Sequence, residues 1–441
     1  MKTMLMLSAA AVLAAAAPAA AQEPLRSAIA ADYQKNLSPM FLDLHQHPEL
    51  SFRETRTAKI VAGDLRKLGY TVTENVGRTG VVAVMKNGAG PTVLLRADMD
   101  GLPVEEKSGL PYSSKVHQVD IDGVDRPVMH ACGHDVHVTS LVGAARQLAA
   151  RKGEWSGTLV LIGQPAEERI SGARAMMNDG LYTRFPKPDY ALAFHVSANH
   201  PSGKIEVNRA LAASSSDSVD IVVHGVGSHG ASPHKGVDPV LVAAQIVVSL
   251  QSIVSRNINP LQPAVITVGS IHGGTKHNII GDEVRMQLTV RSNDFKVREQ
   301  LLDDIDRVAR GTALALGVAQ DKLPEVIRSK VETTPPTIND TPTAERIRAA
   351  FERAFPAGTV IDTPPDGMGA EDFAYFVAPD TGVKGVYFWV GGTPAAQVDT
   401  APAHHSPLFK IEPEPSIKVG TEAMVVGAMS LMPKGGRAAG G

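Results

Sequence analysis

Two patterns of predicted strands and helices restrict the folds that this 441-residue chain can adopt. In the first, short apolar runs such as Thr92–Arg96, Thr158–Gly163 and Ala191–Phe194 alternate with helical stretches such as Val136–Ala150. This alternation predicts an α/β domain whose central sheet is mostly parallel. Polar residues follow each of the three runs, and open parallel sheets place their active sites at the carboxyl ends of their strands.

The second pattern occupies the middle of the chain and reads strand, helix, strand, strand, helix, strand. Its segments are Ser218–His224, Pro239–Ile253, Ala264–His272, Glu283–Arg291, Val297–Leu316 and Pro324–Val331. This β-α-β-β-α-β order is the signature of a ferredoxin-like α+β fold. We therefore predict a smaller α+β domain at 215–330, inserted between an α/β segment at 22–214 and its continuation at 331–434.

The two ends of the chain are predicted to lie outside these domains. Lys2 precedes an apolar stretch at 4–17, and small residues up to Ala21 follow it, which is the layout of a signal peptide. We predict a signal peptide at 1–21 and an exported protein, periplasmic or secreted. The alternative is an uncleaved anchor, but the apolar run is shorter than the ~20 residues that a spanning helix needs. The Gly- and Ala-rich residues 435–441 are predicted to be a disordered tail.

The composition argues against two classes of partner. Charged residues make up 20% of the chain and hydrophobic residues 43%, as in an ordinary soluble enzyme. The net charge is −3, and lysine and arginine are spread along the chain. This distribution gives no electrostatic case for nucleic acid or for a membrane surface. We therefore expect no nucleic-acid partner and no membrane span after signal cleavage.

One short segment concentrates residues that bind metals. The stretch 130–137 reads His-Ala-Cys-Gly-His-Asp-Val-His and contains Cys132, the only cysteine of the chain. A buried free thiol is the common explanation for such a cysteine, but a thiolate two residues from the imidazole of His134 suits zinc or another late transition metal. The alternative is a helix N-terminus with incidental histidines, where Asp135 favours the helix dipole. We favour metal binding.

Further ligands must come from the polar ends of other predicted strands. Glu167 and Glu168 follow one strand, and adjacent carboxylates point in different directions. One can therefore bind a metal while its neighbour acts as a general base, although Glu-Glu pairs are more often solvated surface residues. His195 closes the next strand, and His404 and His405 lie in a polar loop far downstream. Each of these histidines is ambiguous by itself.

Asp98 and Asp100 follow the strand Thr92–Arg96. Carboxylates in such a position can orient ligand histidines from a second layer around a metal. They can also simply cap a turn.

Eight segments of the chain together resemble the hippurate hydrolase and auxin-conjugate amidohydrolase group. That group belongs to the metallopeptidase superfamily that also contains aminoacylases and glutamate carboxypeptidases. The segments occur in the group's order from about residue 40 to 412. They are His45-Gln-His-Pro-Glu-Leu-Ser-Phe, Arg96-Ala-Asp-Met-Asp-Gly-Leu-Pro, Met129-His-Ala-Cys-Gly-His-Asp, Gln164-Pro-Ala-Glu-Glu, Phe194-His-Val, His229-Gly-Ala-Ser-Pro-His, Gly369-Ala-Glu-Asp-Phe and His405-Ser-Pro. The Cys-Gly-His-Asp block is specific to this branch, whereas the Glu-Glu pair is shared across the superfamily.

The resemblance implies a catalytic α/β domain with a mostly parallel sheet, interrupted by a ferredoxin-like lid domain that often mediates dimerisation. It implies a two-metal centre, with Glu167 as the catalytic base and zinc, manganese, cobalt or nickel as the divalent ions. The metal ligands that it implies are Cys132, His134, Glu168, His195 and His405. A homodimer through the lid domain is the oligomer that the resemblance suggests.

Three residues of the lid domain receive roles from the resemblance. His229 resembles the lid histidine that stabilises the oxyanion, sometimes from the partner subunit. Asn278 and Arg291 lie where the group binds a substrate carboxylate, and an arginine fork suits a planar carboxylate. The alternative for Arg291 is a surface charge at a strand end. The chain departs from the group at Gly281, where the group typically has proline.

The implied activity is hydrolysis of an N-acyl amino acid or a similar small amide by a water that two metals activate and Glu167 deprotonates. A dipeptidase or carboxypeptidase with the same centre is the rival enzyme. A non-catalytic exported protein that captures a metal or a small acid is a rival from another class. The paired glutamates beside a complete ligand set argue against it.

Overall fold

The computed structural model describes residues 19–364 and 367–435, with side chains from residue 24 onwards. The predicted signal peptide at 1–21 lies outside this range except for residues 19–21, which begin the first helix. Residues 436–441 of the predicted tail also lie outside the described range. The signal peptide and the tail therefore stay predictions.

The first part of the larger domain contains six α-helices and nine strands among the described residues, and a π-helical segment, Tyr33–Leu37, joins the first two helices. The helices are α1 (Ala19–Asp32), α2 (Ser38–Gln46), α3 (Thr55–Lys67), α4 (His134–Ala150), α5 (Gly172–Asn178) and α6 (Leu181–Arg184). The strands are β1 (Thr71–Val76), β2 (Gly80–Asn87), β3 (Thr92–Asp98), β4 (His117–Val119), β5 (Asp125–Pro127), β6 (Gly157–Gln164), β7 (Tyr190–Pro201), β8 (Ile205–Glu206) and β9 (Leu211–Ala213).

The lid domain and the return to the larger domain follow. The lid domain consists of β10 (Ser216–His224), β11 (Ser228–His229), α7 (Pro239–Ser252), β12 (Ala264–Gly273), β13 (Ile279–Ile280), β14 (Glu283–Ser292), α8 (Phe295–Ala315) and β15 (Glu325–Thr334). The larger domain resumes with β16 (Thr337–Ile338), α9 (Thr341–Ala354), β17 (Val360–Ile361), β18 (Lys384–Thr393) and α10 (Pro413–Leu431).

An eight-stranded sheet in the order β1-β2-β6-β3-β7-β18-β8-β17 forms the centre of the larger domain. Its middle strands β6, β3, β7 and β18 are parallel, and β1 and β2 extend one edge in antiparallel fashion. The middle strands are buried on both faces, which explains why they occur as continuous apolar runs. The prediction of a mostly parallel sheet is confirmed. The polar residues that follow β3 and β6 therefore lie at one edge.

The helix that follows the cysteine segment is almost entirely buried. In α4 every residue from His134 to Ala145 is buried, and α4 packs against α10, most of whose residues are also buried. A helix that is buried on all sides belongs to the core of the domain. The N-terminus of α4 is consequently held rigidly at the sheet edge where the metal-binding residues lie.

The lid domain has the predicted β-α-β-β-α-β order around a four-stranded antiparallel sheet, β12-β14-β10-β15. Along β14 the apolar side chains Val284, Met286 and Leu288 are buried while the residues between them are not, as a half-buried strand requires. Helices α7 and α8 cover the buried face. The β15 strand continues to Thr334, past the predicted limit at 330, because a register shift lets it go on pairing with β10.

One helical segment of the described chain, Pro239–Asn257, is long and apolar enough to cross a membrane. Its buried side chains, which pack into the core of the lid domain, include Val242, Ile246 and Leu250. Its exposed side chains include Val240, Leu241 and Val248. Packing into the lid core therefore accounts for part of this apolar composition, and the exposed side chains form an apolar surface on α7.

Candidate metal centre

The five predicted metal ligands lie together at the carboxyl edge of the central sheet. The Cys132 Sγ atom is 3.3 Å from His195 Nε2 and 3.4 Å from His405 Nε2. A Glu168 oxygen lies 3.8 Å from His134 Nε2, and the other lies 3.4 Å from His405 Nε2. Four separate segments of the chain therefore bring thiol, imidazole and carboxylate donors to one place.

Gly133 explains how Cys132 and His134 face the same place. It is the residue before α4 and has a φ of 86°, in the left-handed region that favours glycine. A Cβ at this position would collide with the side chain of Val196. The turn thus needs glycine both for its backbone angle and for the close approach of strand β7.

In two of the predicted ligand histidines, one ring nitrogen makes a hydrogen bond and the other is available to bind a metal. His134 Nδ1 contacts the carbonyl oxygen of Asp100 at 2.8 Å, and His195 Nδ1 contacts that of Val196 at 2.6 Å. Since only a protonated nitrogen can donate to a carbonyl, Nε2 of each neutral ring carries the lone pair. A metal ligand typically has this arrangement, with its other nitrogen donating to an outer oxygen.

Unpaired polar atoms provide the test of whether these residues suit a metal. Among the described residues, the buried His134 Nε2 and Glu168 Oε1 atoms have no hydrogen-bond partner. Such atoms cost about 1–3 kcal/mol each when they stay unpaired in a protein interior. The donor set of thiolate, imidazole and carboxylate is also the one that divalent zinc and its neighbours accept. The site therefore fits the metal ions that the sequence predicts.

The electrostatics of the site agree with this conclusion. Burial, reinforced by Glu168 and Glu167, raises the pKa of the Cys132 thiol well above its ordinary value. Burial is also the main reason why the pKa of Glu168 is raised to about 8. Acidic groups crowded into a dry site resist ionisation, and a bound cation reverses this effect.

His137 is excluded as a ligand although it lies beside His134. Its Nδ1 is 2.5 Å from Asp98 Oδ1, and its Nε2 accepts a hydrogen bond from the amide of Val196 at 2.8 Å. Both nitrogens are therefore occupied. The carboxylate of Asp98 thus orients His137, a residue without a predicted role, and its other oxygen lies 3.8 Å from His134 Nε2.

Asp100 contributes in two ways that the sequence did not distinguish. Its carbonyl orients His134, while its carboxylate accepts hydrogen bonds from the amides of Glu167 and Glu168, at 3.0 and 3.1 Å. Ser51 donates a third hydrogen bond to this carboxylate at 2.6 Å. The side chain of Asp100 therefore fixes the turn that carries the paired glutamates.

Glu54 holds the preceding residue of the same turn and was not predicted. Its fully buried carboxyl group accepts hydrogen bonds from the amides of Ala166 and Phe52, at 2.8 and 2.9 Å, and from the hydroxyl of Thr79. Ala166 has a φ of 50°, a left-handed conformation that costs a residue with a side chain roughly 1–2 kcal/mol. In sequence Glu54 only precedes a helix, and no local signal connects it with a turn 112 residues away.

A second buried polar cluster surrounds the predicted base, Glu167. Oxygens of Glu371 and Asp372 lie within 4.8 Å of a Glu167 oxygen. Burial and these neighbouring carboxylates raise the pKa of Glu167 well above its ordinary value. The fully buried guanidinium of Arg96 donates to Asp98 at 2.6 Å and to Glu371 at 2.7 Å. Glu371 and Arg96 both belong to segments that resemble the amidohydrolase group, but the sequence predicts no role for either residue.

A cleft of about 450 Å³ between the two domains adjoins Glu168. The larger domain lines it with residues that include Leu50, Ser51, Leu102, Pro103 and Ile170. The lid domain lines it with Ser216, Ser218, Thr289, Arg291 and Glu332. Arg291 is half-buried, its Nε donates to Thr289 Oγ1 at 3.2 Å, and burial lowers its pKa.

His229 and Asn278 lie elsewhere on the lid domain. They are neighbours beside the antiparallel pair of strands β11 and β13, where the amide of Gly230 donates to the carbonyl of Asn278 at 2.9 Å. His229 is exposed, and neither residue lines the cleft beside Glu168. Of the three predicted lid residues, the structure thus brings only Arg291 to the cleft.

Comparison with known proteins identifies the family. Residues 94–427 match peptidase family M20/M25/M40. Thermostable carboxypeptidase 2 of Saccharolobus solfataricus is 37% identical over 89% of this chain and 94% of its own length. Hippurate hydrolase of Campylobacter jejuni is 38% identical over 77% of this chain and 88% of its own length. A crystal structure of a dinuclear metal binding peptidase of the M20 family from Bacillus subtilis matches with a TM-score of 0.74 and 29% identity, over 91% of this chain and 99% of that one.

These matches confirm the resemblance and the fold class that the sequence predicted, and they confirm the prediction of a metal-dependent enzyme. The chain belongs to peptidase family M20/M25/M40 and is a metal-dependent hydrolase of amide bonds.

Proposed function

We propose that this enzyme hydrolyses N-acyl amino acids or similar small amide conjugates, with Glu167 as the general base. The observation that carries the proposal is the position of Glu167 in the chain. It directly precedes the ligand Glu168, in a turn held by Asp100, beside a cleft that also contains Arg291. The proposed metal ligands are Cys132, His134, Glu168, His195 and His405.

Glu167 is suited to moving a proton in both directions. Two divalent ions, zinc, manganese, cobalt or nickel, supply Lewis acidity when bound and lower the pKa of water. Glu167 is buried beside Glu371 and Asp372, where its carboxylate can take a proton from water and later return it to the leaving amine. Because the amides of Glu167 and Glu168 bind the two oxygens of Asp100, the base and the ligand keep a fixed relative position.

The cleft suits a substrate with an apolar part and a carboxylate. Leu50, Leu102, Pro103 and Ile170 provide an apolar wall on the side of the larger domain. Arg291 lies on the opposite wall, and its half-buried guanidinium can bind a carboxylate through two hydrogen bonds. An N-acyl amino acid has both features, since its amide joins an acyl group to an amino acid with a free carboxylate.

His229 is proposed to stabilise the oxyanion, although it does not line the cleft of its own chain. This role requires either a closing movement of the lid domain or a second copy of the chain that supplies the histidine. We propose a homodimer through the lid domain, whose sheet ends at the edge strand β12 and whose helix α7 carries exposed apolar residues. A substrate-binding role for Asn278 depends on the same arrangement, because Asn278 lies next to His229 at the paired strands β11 and β13.

A carboxypeptidase or dipeptidase acting on peptides is the second candidate. It is favoured by the 37% identity with thermostable carboxypeptidase 2 of Saccharolobus solfataricus. The two candidates share their chemistry and differ in substrate. A free amino terminus would have to be accepted at the cleft in place of an acyl group.

A hydrolysis screen separates the two candidates. N-acetyl and N-benzoyl amino acids are compared with unblocked dipeptides, in chelator-treated enzyme resupplied with zinc, manganese, cobalt or nickel. We expect cleavage of the blocked amino acids, restored by one of these ions. Cleavage of dipeptides alone would contradict the proposal and favour the second candidate.

The Glu167→Ala variant tests the base. We expect turnover to fall by about 10²–10⁴-fold, the usual contribution of a general base, while the metal content stays near that of the wild type. Retained turnover would exclude Glu167 from this role.

We also propose that the enzyme is exported, on the basis of the signal-like residues 1–21. Cell fractionation combined with N-terminal sequencing of the mature protein tests this. A cytoplasmic protein that begins at Met1 would contradict it.

A further inference from the structure

Three histidines, rather than two, face the sulfur of Cys132. His195 Nε2 and His405 Nε2 lie 3.3 and 3.4 Å from Sγ, and His404 Nδ1 lies 3.7 Å from it. By distance alone, Cys132, His195 and His404 could form a metal site of their own. The hydrogen bonds of the His404 ring determine which role this third histidine can have.

The backbone of strand β7 fixes the tautomer of His404. The amide of Ala198 donates a hydrogen bond to His404 Nε2 at 3.0 Å. Nε2 must therefore be unprotonated, and the proton of the ring is on Nδ1. This Nδ1–H faces Cys132 Sγ and has no lone pair for a metal. His195 differs, because its Nδ1 donates to the carbonyl of Val196 and its Nε2 therefore keeps a lone pair for a metal.

The surrounding structure holds His404 in this position. Its ring packs against Phe409, with centroids 4.8 Å apart, and against the edge of His195, at 5.2 Å. His405 has a φ of 67°, and its amide donates to the carbonyl of Ala131 at 2.9 Å. This left-handed backbone conformation of His405 allows two consecutive histidines to approach the same sulfur. The hydrogen bond from His404 is thus built into the loop.

We propose that His404 is a positioning residue that donates a hydrogen bond from Nδ1 to the thiolate of Cys132 and does not bind metal. A hydrogen bond to a charged acceptor is stronger than a neutral one and fixes its direction. It also withdraws electron density from the sulfur and so changes how strongly the thiolate donates to a metal. The inference rests on the proposed function in one respect, the use of Cys132 as a ligand.

Cobalt-loaded, full-length protein provides a direct readout, because a thiolate bound to Co²⁺ gives a charge-transfer absorption band. His404→Phe keeps a ring in the loop but removes the donor, whereas His404→Gln restores an N–H group. The matched control is His200→Phe. His200 lies near the end of β7, as Ala198 does, but its ring is hydrogen-bonded to Ser197 and Glu206 and not to Cys132.

We expect all four proteins to bind the same number of cobalt ions per chain. In His404→Phe the band should move to longer wavelength, because a thiolate without its hydrogen bond gives up an electron more easily. Cobalt affinity in a chelator competition should fall about 10- to 100-fold, as for other residues that orient a ligand. His404→Gln should restore the wild-type band in full or in part, and the control should leave it unchanged.

Two results would overturn the inference alone. Loss of one cobalt equivalent in His404→Phe would make His404 a ligand, and an unchanged band in that variant would show that no hydrogen bond reaches the sulfur. A wild-type protein that binds cobalt without a thiolate band would instead overturn Cys132 as a ligand, and the inference with it. Since none of these readouts depends on turnover, they are independent of whether N-acyl amino acids are the substrates.

Discussion

His45 provides a quantitative test of the electrostatics beneath the metal centre. The side chain is buried, with Nδ1 2.6 Å from Asp135 Oδ2 and Nε2 3.2 Å from Glu106 Oε1. Burial by itself lowers the pKa of His45, but the hydrogen bonds and charges of Asp135 and Glu106 outweigh it and raise the pKa to about 9. His45 is therefore a cation between two carboxylates at neutral pH.

The pKa gives the size and the sign of the effect. The rise from the ordinary value of 6.5 to about 9 corresponds to about 3 kcal/mol of folding free energy. Because the folded pKa is higher than the unfolded one, this stabilisation is fully present below pH 6.5. It is lost as the pH rises through 9. Removing one partner of a buried ion pair costs a similar amount, about 3–5 kcal/mol.

The perturbation is His45→Gln, which keeps hydrogen-bonding groups but removes the charge. Urea unfolding is followed by tryptophan fluorescence between pH 6 and 9.5, with excess chelator in both proteins. Trp155 and Trp389 both lie in the larger domain, so the signal reports the unfolding of that domain. We expect the wild type to be about 3 kcal/mol more stable than the variant near pH 6, with the gap closing towards pH 9.5.

The matched control is His47→Gln. His47 lies two residues away, and its side chain is 49% exposed beside Asp43. Such a surface change should alter the stability by less than about 0.5 kcal/mol at every pH. A gap between wild type and His45→Gln that stays constant from pH 6 to 9.5 would refute the reasoning, because it would mean that His45 does not change its charge on unfolding.

Three further predictions concern the turn, the cleft and the lid domain. Glu54→Leu leaves the amides of Phe52 and Ala166 without their acceptor. We therefore expect the free energy of unfolding, measured in urea, to fall by about 2–6 kcal/mol. Because the turn carries Glu167, kcat should fall more than KM rises. Arg291→Lys keeps the positive charge but removes the planar guanidinium that can bind a carboxylate through two hydrogen bonds. The KM for N-acyl amino acids should therefore rise about 10- to 100-fold, while the KM for substrates with an amidated carboxylate should stay the same. Val248→Glu places a charge on an exposed apolar face of α7, so sedimentation should show a weaker dimer.

Controls and contradicting outcomes differ between these predictions. Glu54→Gln keeps one acceptor oxygen and should lose less stability than Glu54→Leu, and equal losses would contradict the assigned hydrogen bonds. An equal rise in KM for free and amidated substrates would remove the carboxylate role of Arg291. A wild-type protein that sediments as a monomer would contradict the lid dimer that Val248→Glu is designed to weaken.

The parts of the fold that the sequence predicts are those that depend on local patterns. Strands β3 and β6 are buried on both faces, so they occur as continuous apolar runs that end in polar residues. The lid domain was predictable because β14 alternates between buried and less buried residues. The five predicted metal ligands, which lie together in the structure, could be named because Cys132 and His134 are close in sequence and the resemblance supplied the others.

The contacts that hold the site together were not predictable because they join distant segments. Glu54 and Ala166 are 112 residues apart, and Arg96 and Glu371 are 275 apart. A lone acid or a strand arginine has many explanations, and only the folded structure shows its partner. His404 is a different case, since its sequence neighbour His405 has the same chemistry. Only the amide of Ala198 distinguishes the two histidines.

The distribution of unpaired atoms predicts what metal removal does to the protein. In the cluster around Arg96 the carboxylates have donors from the chain itself. Asp372 accepts from Gln164 at 2.6 Å, and Glu371 accepts from Tyr387 at 2.5 Å. In the ligand cluster, by contrast, two buried atoms of the described residues, His134 Nε2 and Glu168 Oε1, have no hydrogen-bond partner.

Because the sheet edge is stabilised without metal, we expect a chelator to abolish hydrolysis while the far-ultraviolet circular dichroism stays the same. The urea midpoint should fall, since an ion that binds only the folded state stabilises it in proportion to the logarithm of its concentration over Kd. Unfolding of the chain on chelation alone would contradict this, because it would mean that the metal, and not the buried network of Arg96, holds the carboxyl ends of the strands together.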